Sequence, residues 1–453
     1  MKVTAIFDIG KTNKKFFLFD ENYREVFKEY ACFDEIKDDD GYPADDLLTI
    51  QNWIKNILRS VLKDERFEVR SLNFSTYGAS FIHVDENGVP VTPLYNYLKP
   101  YPKKILQSFY EKYGDEMKIA LETASPASGM LNSGLQLYWL KYGRPDIFKK
   151  IKWALHFPQY LSYLFTGMPV SEYSSIGCHT GLWDYKKNDY HDWVYAEGID
   201  KILPPVFAAN TVFKKEIEGN MIMIGTGIHD SSAALLPYIL SEEDPFLLIS
   251  TGTWSISLNP FSEEMLSKND LENDCLHYMR TDGKAVRASR LLLGNEYNLQ
   301  IEKLGKHFNK EKEYHKTVKF DEAVFQKLLH NHTSYFCFES IPFSRNKNNK
   351  TGYKQLENYE EAYHQLMIEL GELQAQSAKR AIGNTSIQKI YVDGGFADNP
   401  VYIKLLALHF PQYTIYTTQS PLGSALGAAM IIADKKTNNN FLQEHYAMQK
   451  HGV

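Results

Sequence analysis

Two Gly/Thr turns and a few aspartates hold the residues best suited to chemistry. The first turn lies in Asp8-Ile9-Gly10-Lys11-Thr12-Asn13-Lys14-Lys15, the second in Ser250-Thr251-Gly252-Thr253-Trp254-Ser255, each between apolar β-formers. In such a strand–turn–strand, glycine lets the main chain approach an anion while N–H and hydroxyl donors converge on it. Gly10, Thr12, Asn13 and Lys15 on one side, with Thr251, Gly252 and Thr253 on the other, can grip a polyphosphate between them. The plainer alternatives are ordinary hairpin turns and, for Lys15, a solvated strand lysine. Asp8 ends an apolar strand, where a carboxylate is costly unless it binds something. Mg²⁺ held partly through water suits it; a turn-capping aspartate is the other reading. Asp230 follows Gly225-Thr226-Gly227-Ile228-His229 and precedes Ser231-Ser232-Ala233-Ala234. A carboxylate placed there projects into a cleft and can take the proton of an alcohol that receives a phosphoryl group, or touch the same metal as Asp8. Otherwise Asp230 is a helix N-cap. Gly10-Lys11-Thr12 invites a P-loop assignment, but Ala5 stands where that motif needs glycine, and Phe16–Phe19 reads as strand.

The elements that must position these residues run in two similar series. In the first half, Val3–Asp8 and Lys15–Asp20 read as strands, with a third at Glu25–Phe33. Asp38-Asp39-Asp40-Gly41-Tyr42-Pro43 is a loop by composition. Beyond Asp45, residues Leu47, Leu48, Ile50, Ile54, Ile57, Leu58, Val61 and Leu62 fall on one helical face. Val69–Ser75 is the next strand, Asp85-Glu86-Asn87-Gly88 a hairpin turn signal, and Lys103–Gly167 a more helical, aromatic stretch. The second half restarts with the hairpin Phe246–Ser250 and Ser255–Leu258, a long helix near Glu360–Gly383, and a strand Lys389–Val392 entering Asp393-Gly394-Gly395. Residues after about Asp434 read as a loosely held terminus. The acidic stretch Ser241-Glu242-Glu243-Asp244-Pro245 marks a boundary, giving domains at 1–241 and 242–453.

Composition agrees with that division and narrows the class. A chain of 453 residues is too long for one ordinary core. A net charge of −6, with both signs interspersed, argues against a nucleic-acid surface. No apolar run approaches the ~20 residues of a membrane span. Met1-Lys2 leads straight into the first strand, leaving no room for a signal peptide. Cys32, Cys178, Cys275 and Cys337 are far apart and form no CxxC, so neither a zinc site nor a disulfide framework is supported. The expectation is a cytoplasmic protein with no membrane partner.

Four segments in order carry a family resemblance over residues 3 to 433: Asp8–Lys15, Gly225–Ala234, Ser250–Ser255 and Tyr391–Pro400. Together they resemble the carbohydrate kinases of the FGGY family, within the sugar kinase, actin and heat-shock chaperone ATPase superfamily. The resemblance implies an α/β fold of two ribonuclease-H-like domains, with mixed sheets flanked by helices, around a central cleft. It implies ATP and Mg²⁺ as cofactors, phosphorylation of a sugar, and Asp230 as the base. In Asp393-Gly394-Gly395-Phe396-Ala397-Asp398-Asn399-Pro400, Gly394 and Gly395 let an adenine lie against the main chain, and Asn399 hydrogen-bonds the base or caps the following helix. Gly423 and Gly427, in Ser420–Ala429, resemble the small-residue helix that closes the adenosine pocket; tight helix packing explains them as well. The family usually carries a small residue where Lys11 stands, so the role of Lys11 is open.

Thr76-Tyr77-Gly78-Ala79 and Leu94-Tyr95-Asn96-Tyr97 lie where members of this family hold the ketose. Thr76, Tyr77, Gly78, Asn96, Tyr97 and His229 are accordingly the expected sugar contacts beside Asp230. Tyr97-Leu98-Lys99 replaces an acid–x–Arg set carried by many members, which argues against assuming xylulose or glycerol. Glu172, Tyr173 and Ser175 match a stretch lining the sugar side, or are a surface loop. His83, His156 and His229 show no metal-ligand spacing and read as structural histidines. The expected activity is ATP-dependent phosphorylation of a ketose, with a 6-deoxyketohexose such as rhamnulose or fuculose favoured. Xylulose- or ribulose-type kinases and a catalytically silent, nucleotide-gated sugar sensor are the rivals. A chaperone- or actin-like ATPase would have no use for the aromatic segment Tyr95–Tyr163. The expected partner is a small-molecule sugar, not nucleic acid, and a homodimer is left open.

Overall fold

A computed structural model describes residues 1–329, 334–341, 352–418, 423–433 and 441–451. Of the terminus after about Asp434 read above as loosely held, Lys435–Asn440 lie outside the described residues, as does Ser420 in the small-residue segment. The described part of that end is instead held by core packing: Phe441–Tyr446 is a helix that buries Phe441, Leu442 and Tyr446, and Gln449–His451 is a paired strand. The apolar runs beside the first Gly/Thr turn form β1 (Lys2–Ile9) and β2 (Lys14–Asp20), and β3 (Glu25–Ala31) extends the meander. β1 and β2 pair antiparallel, setting Asp8 opposite Lys15. After α1 (Leu47–Leu62), β4 (Glu68–Thr76) lies parallel on the other side of β1 and matches Asp8 with Ser75. β5 (Val212–Ile217), β6 (Asn220–Gly225) and the short β7 (Ile228–His229) complete a mixed sheet of order β5-β6-β4-β1-β2-β3, with β7 also beside β4.

The second sheet is built the same way. β8 (Phe246–Thr251) and β9 (Ser255–Asn259) form the hairpin around the second Gly/Thr turn, and β10 (Cys275–Met279) and β11 (Ala285–Leu291) continue antiparallel. β12 (Lys389–Gly394) runs parallel to β8, followed by β13 (Thr414–Thr417) and β14 (Gln449–His451), in the order β10-β11-β9-β8-β12-β13-β14. Each sheet thus has a three-stranded antiparallel meander (β3-β2-β1 and β11-β9-β8) with a parallel strand added beyond the first strand of its hairpin. In both, the parallel strands end on the edge that carries the Gly/Thr turn.

Helices cover the sheets because their apolar residues recur with helical period. α1 buries Leu47, Ile50, Ile54, Ile57, Leu58 and Val61. Leu48, expected on that face, is 64% exposed, as a residue one position after Leu47 must be, about 100° around the helix. The aromatic stretch is less helical than expected: Trp153–His156 is a strand, pairing antiparallel with Phe81–Val84. Further on come α2 (Asp230–Ser241), α3 (Tyr359–Ile382), α4 (Pro400–His409) and α5 (Gly423–Ile431). α2 and α5 lie between the two sheets. Ile6, Phe17 and Phe19 from the first sheet, Leu235 and Tyr238 of α2, Leu426 and Ala429 of α5, and Leu248 and Leu258 of the second sheet form one buried cluster. A Cβ on Gly427 would lie 1.8 Å from the Ala233 carbonyl oxygen, so α5 can cross α2 this closely only with glycine there. Among the described residues, no helix is long and apolar enough to cross a membrane.

Candidate active site

β1, β4 and β7 run parallel and end at Ile9, Thr76 and His229. The residues that follow, Gly10-Lys11, Tyr77-Gly78 and Asp230, therefore gather beyond one edge of the sheet, where open α/β sheets bind ligands. Asp230 opens α2, with His229 at the cap position. Its Oδ1 accepts from the Ser231 N–H at 2.6 Å and the Ser231 hydroxyl at 3.2 Å, and His229 Nε2 lies 3.2 Å away. A capping carboxylate would instead reach the N–H two or three residues on. The Asp230 side chain is 32% exposed. Burial raises its carboxyl to about 6, against the Ser231 hydrogen bonds and the charge of Lys15.

Asp8 is 6% exposed and also raised, by burial first and by the charge of Asp230 in addition; Lys15 opposes the shift ahead of the Ser424 and Ser75 hydroxyls. Lys15 Nζ stands 3.7 Å from Asp8 Oδ2. Two desolvated carboxylates thus share one lysine. This uncompensated negative charge, offered by hard oxygen donors, fits a cation such as Mg²⁺. Ser424 belongs to α5, so the second half of the chain supplies part of this pocket.

The first turn closes through the Gly10 N–H donating to the Asn13 carbonyl at 2.9 Å, and it leaves Thr12 and Asn13 exposed. In the second, the Gly252 N–H donates to the Trp254 carbonyl at 2.7 Å, and Gly252, Thr253 and Trp254 are exposed. Thr251 departs from its expected role. Its hydroxyl donates to the Asp393 carbonyl and accepts from the Phe396 N–H at 3.0 Å, so it joins the second turn to the Gly394-Gly395 segment instead of pointing at a phosphate. Gly394, at φ +80°, comes so close to Thr251 that a Cβ would lie 1.8 Å from its carbonyl oxygen. Gly395 faces open space. Asn399 takes the capping alternative: its carbonyl accepts from the Val401 and Tyr402 N–H groups, and its amide donates to the Tyr363 hydroxyl at 2.9 Å. The second turn faces the first half of the chain through Arg290. That guanidinium lies 5.5 Å over the Trp254 ring and within electrostatic reach of Cys178 and Tyr278.

On the expected sugar side, Tyr77 and Tyr97 meet edge to face at 6.0 Å. Gly78 presses against the wall behind Asp230: a Cβ there would lie 2.6 Å from Cys178 Sγ and 3.1 Å from the His229 ring. His229 is neutral at pH 7, because burial lowers it to about 3, and its Nε2 is 3.0 Å from Cys178 Sγ. Thr76 does not offer its hydroxyl outward: the side chain is buried and donates to the Tyr77 carbonyl at 2.9 Å. The Asn96 carbonyl accepts from the Leu98 N–H at 2.9 Å, fixing the loop, and its amide points to Glu35 at 3.4 Å. Lys99 is buried in ion pairs with Asp38 at 2.6 Å and Asp40 at 2.5 Å, and Arg144 pairs with Asp39 and Asp40. Two protein cations thereby offset two of the three charges of the Asp38-Asp39-Asp40 cluster. Glu172 and Ser175 are buried, not part of a surface loop, and Glu172 caps the short helix Tyr173–Ile176. His83 and His156 are buried with lowered pKa values of about 3, as structural histidines.

Asp45 was not anticipated as a site residue, although it organises this region. It accepts from Lys11 at 2.7 Å, Lys14 at 3.0 Å and the Tyr77 hydroxyl at 2.7 Å. The doublet Asp45-Asp46 before an apolar helix looks like capping, and Asp46 does cap α1. The only signal that set Asp45 apart was the pair of unusual lysines in the first turn.

Residues 3–236 match the family model for the N-terminal domain of the FGGY family of carbohydrate kinases, and residues 243–440 match that for the carbohydrate kinase FGGY C-terminal domain. The chain is 25% identical over 271 residues to a rhamnulokinase of Halalkalibacterium halodurans, covering 56% of each chain. It spans about half the length of the curated relatives it matches. The fold is shared with a carbohydrate kinase from Novosphingobium aromaticivorans (TM-score 0.78, 23% identity, 94% of this chain and 93% of that one). It is also shared with a xylulose kinase from Lactobacillus acidophilus (TM-score 0.77, 16% identity, 100% and 93%).

Proposed function

As the chain belongs to the FGGY family of carbohydrate kinases, we propose that it transfers the γ-phosphoryl group of ATP to a ketose, with Asp230 as the general base. The observation that carries this reading is the place of Asp230: first residue of α2, partly buried and, among the described residues, bonded only to its neighbours Ser231 and His229. Asp230 takes the proton of the attacking hydroxyl as the phosphoryl group arrives, and proximity matters before basicity. Lys15 and the exposed N–H groups of the two turns orient the phosphates. Asp8 and Asp230 would hold Mg²⁺, which supplies charge neutralisation on the phosphates when bound. Gly395, on its open face, is the resting place for the nucleoside. The division into domains at 1–241 and 242–453 puts the sugar contacts in the first and most nucleotide contacts in the second. The name of the rhamnulokinase relative supports a 6-deoxyketohexose as substrate.

ADP release measured across a panel of ketoses tests the reading, with Asp230→Asn as the paired variant. The variant should lose at least ~10²-fold in kcat, the low end of general-base contributions, while still binding ATP and sugar. Near wild-type turnover would leave Asp230 a helix-start residue and sink the mechanism.

A further inference from the structure

Lys11 belongs to the phosphate turn in sequence but not in space. Its ammonium donates to Asp45 Oδ2 at 2.7 Å and to Glu35 Oε1 at 3.0 Å, and the buried Lys14 holds its carbonyl at 2.8 Å. Asp45 itself is saturated by Lys11, Lys14 and Tyr77, and an isolated antiparallel bridge ties it to Leu94 at the start of the Tyr95-Asn96-Tyr97 loop. Burial alone would raise Asp45, but the bonds from Lys11 and Tyr77 hold it below the usual carboxylate range, so it stays ionised. Lys11 is therefore anchored on the sugar side, with main chain and side chain both fixed.

The outer pair is not saturated. Among the described residues, the third ammonium N–H of Lys11 and Oε2 of Glu35 bond to no other group. The side chains are 22% and 46% exposed. An ion pair closed at 3.0 Å between Lys11 Nζ and Glu35 Oε1, with a free donor on one partner and a free acceptor on the other, is complementary to hydroxyls, each of which both donates and accepts. The pair also shares the neighbourhood of the base: the Tyr97 hydroxyl lies within electrostatic reach of Lys11, Asp230, Asp45 and Glu35 together. The two lysines and two carboxylates of the cluster cancel in charge, which suits a neutral polyol and not an aldonate or a sugar phosphate.

We infer that Lys11 and Glu35 form a specificity-determining pair that reads one hydroxyl, or two adjacent ones, of a neutral ketose, with Asp45, Lys14 and Tyr77 as its rigid base. The inference rests on the sugar-kinase reading above and extends it to two residues outside the expected sugar contacts.

The test is a cycle between ketose analogues that each lack one hydroxyl and the variants Lys11→Met and Glu35→Gln, read in kcat/KM and in sugar binding by calorimetry. In the wild type, one analogue should lose at least about 10²-fold, short of the ~10⁴-fold of a fully enclosed hydroxyl because the pair is part exposed. In both variants that penalty should shrink to about 3-fold or less, with the KM for ATP moving by less than about 2-fold. Lys11→Met also strips a partner from buried Asp45, so Glu35→Gln, at an exposed side chain, reads the pair without that loss. Unchanged analogue penalties in both variants, or an effect confined to the ATP KM, would overturn the inference and leave the kinase reading standing. A wild type that neither binds nor phosphorylates any neutral ketose would overturn both.

Discussion

Burial holds the Asp230 carboxyl at about 6, against 3.8 for an unperturbed aspartate, and the sign of that shift sets two expectations. As a base, Asp230 must be ionised, so kcat/KM, which reports the free enzyme, should be level near pH 7.5 and fall about tenfold per pH unit well below 6, with one proton taken up. A pH profile that stays flat to pH 5 would exclude Asp230 as the titrating base. The stability effect runs the other way. A folded pKa above the unfolded value means that ionisation opposes folding, fully so above about 6, with relief as pH falls towards 3.8. Asp230→Asn should therefore raise the thermal midpoint of the ligand-free protein at pH 8, and the gain should fade near pH 4; an equal or lower midpoint at pH 8 would mean the carboxylate is well solvated. Asp8 and Asp230 stand out in the sequence because each lies at a place, strand end or Gly-rich turn, where an aspartate has no obvious structural reason. Thr251 and Thr76 were misjudged for one reason. The direction of a hydroxyl at a strand end depends on which carbonyl lies within reach, here Asp393 on the neighbouring β12 for Thr251 and the next residue, Tyr77, for Thr76.

At the scale of elements, what positions Asp230 is the crossing of α2 with α5. Ala233 and Ala234 on α2 meet Gly427 and Gly423 on α5, so the helices approach closely enough for Asn73 of β4 to donate to the Ala428 carbonyl at 2.8 Å. The other end of that amide accepts from the Gly227 N–H at 3.0 Å, which fixes the turn leading into Asp230. Gly427→Ala should cost about 1–3 kcal/mol, the usual range for overpacking a tight contact, and lower the thermal midpoint. Because the strain falls on the helix that carries Asp230, kcat should drop as well; a variant with unchanged midpoint and rate would mean the crossing is loose. The glycines of this crossing were visible in the sequence, but their partner was not, since α2 and α5 are almost two hundred positions apart. The hairpins and α3 were legible from strong period-two and helical patterns. Trp153–His156 was not, because a four-residue strand inside a helical, aromatic stretch carries too little pattern to declare itself.

For the molecule as a whole, the two Gly/Thr turns belong to different sheets, and on the kinase reading proposed above both must reach one nucleotide. Gly10–Lys15 approaches from the first sheet and Gly252-Thr253 from the second, so a complete grip requires the sheets to draw together over the ligand. The buried cluster that spans both halves limits how this happens. α2 and α5 cannot separate without exposing that core, so closure must be a pivot about the α2–α5 layer, with the chain bending near Pro237–Pro245. Closing would expel water, which otherwise competes with the sugar for the phosphoryl group beside Asp230. ATP hydrolysis without sugar should therefore be slow, and adding sugar should favour transfer over hydrolysis. X-ray scattering can follow the motion directly. A compact chain of 453 residues has a radius of gyration of about 22 Å, and the protein with sugar and a non-hydrolysable nucleotide should approach that value from a larger one when free. Sugar alone should give part of the contraction, since its contacts lie on one side of the pivot. A radius that stays the same under saturating ligands would mean that the cleft is preformed, and that the two turns grip the nucleotide without any movement of the halves.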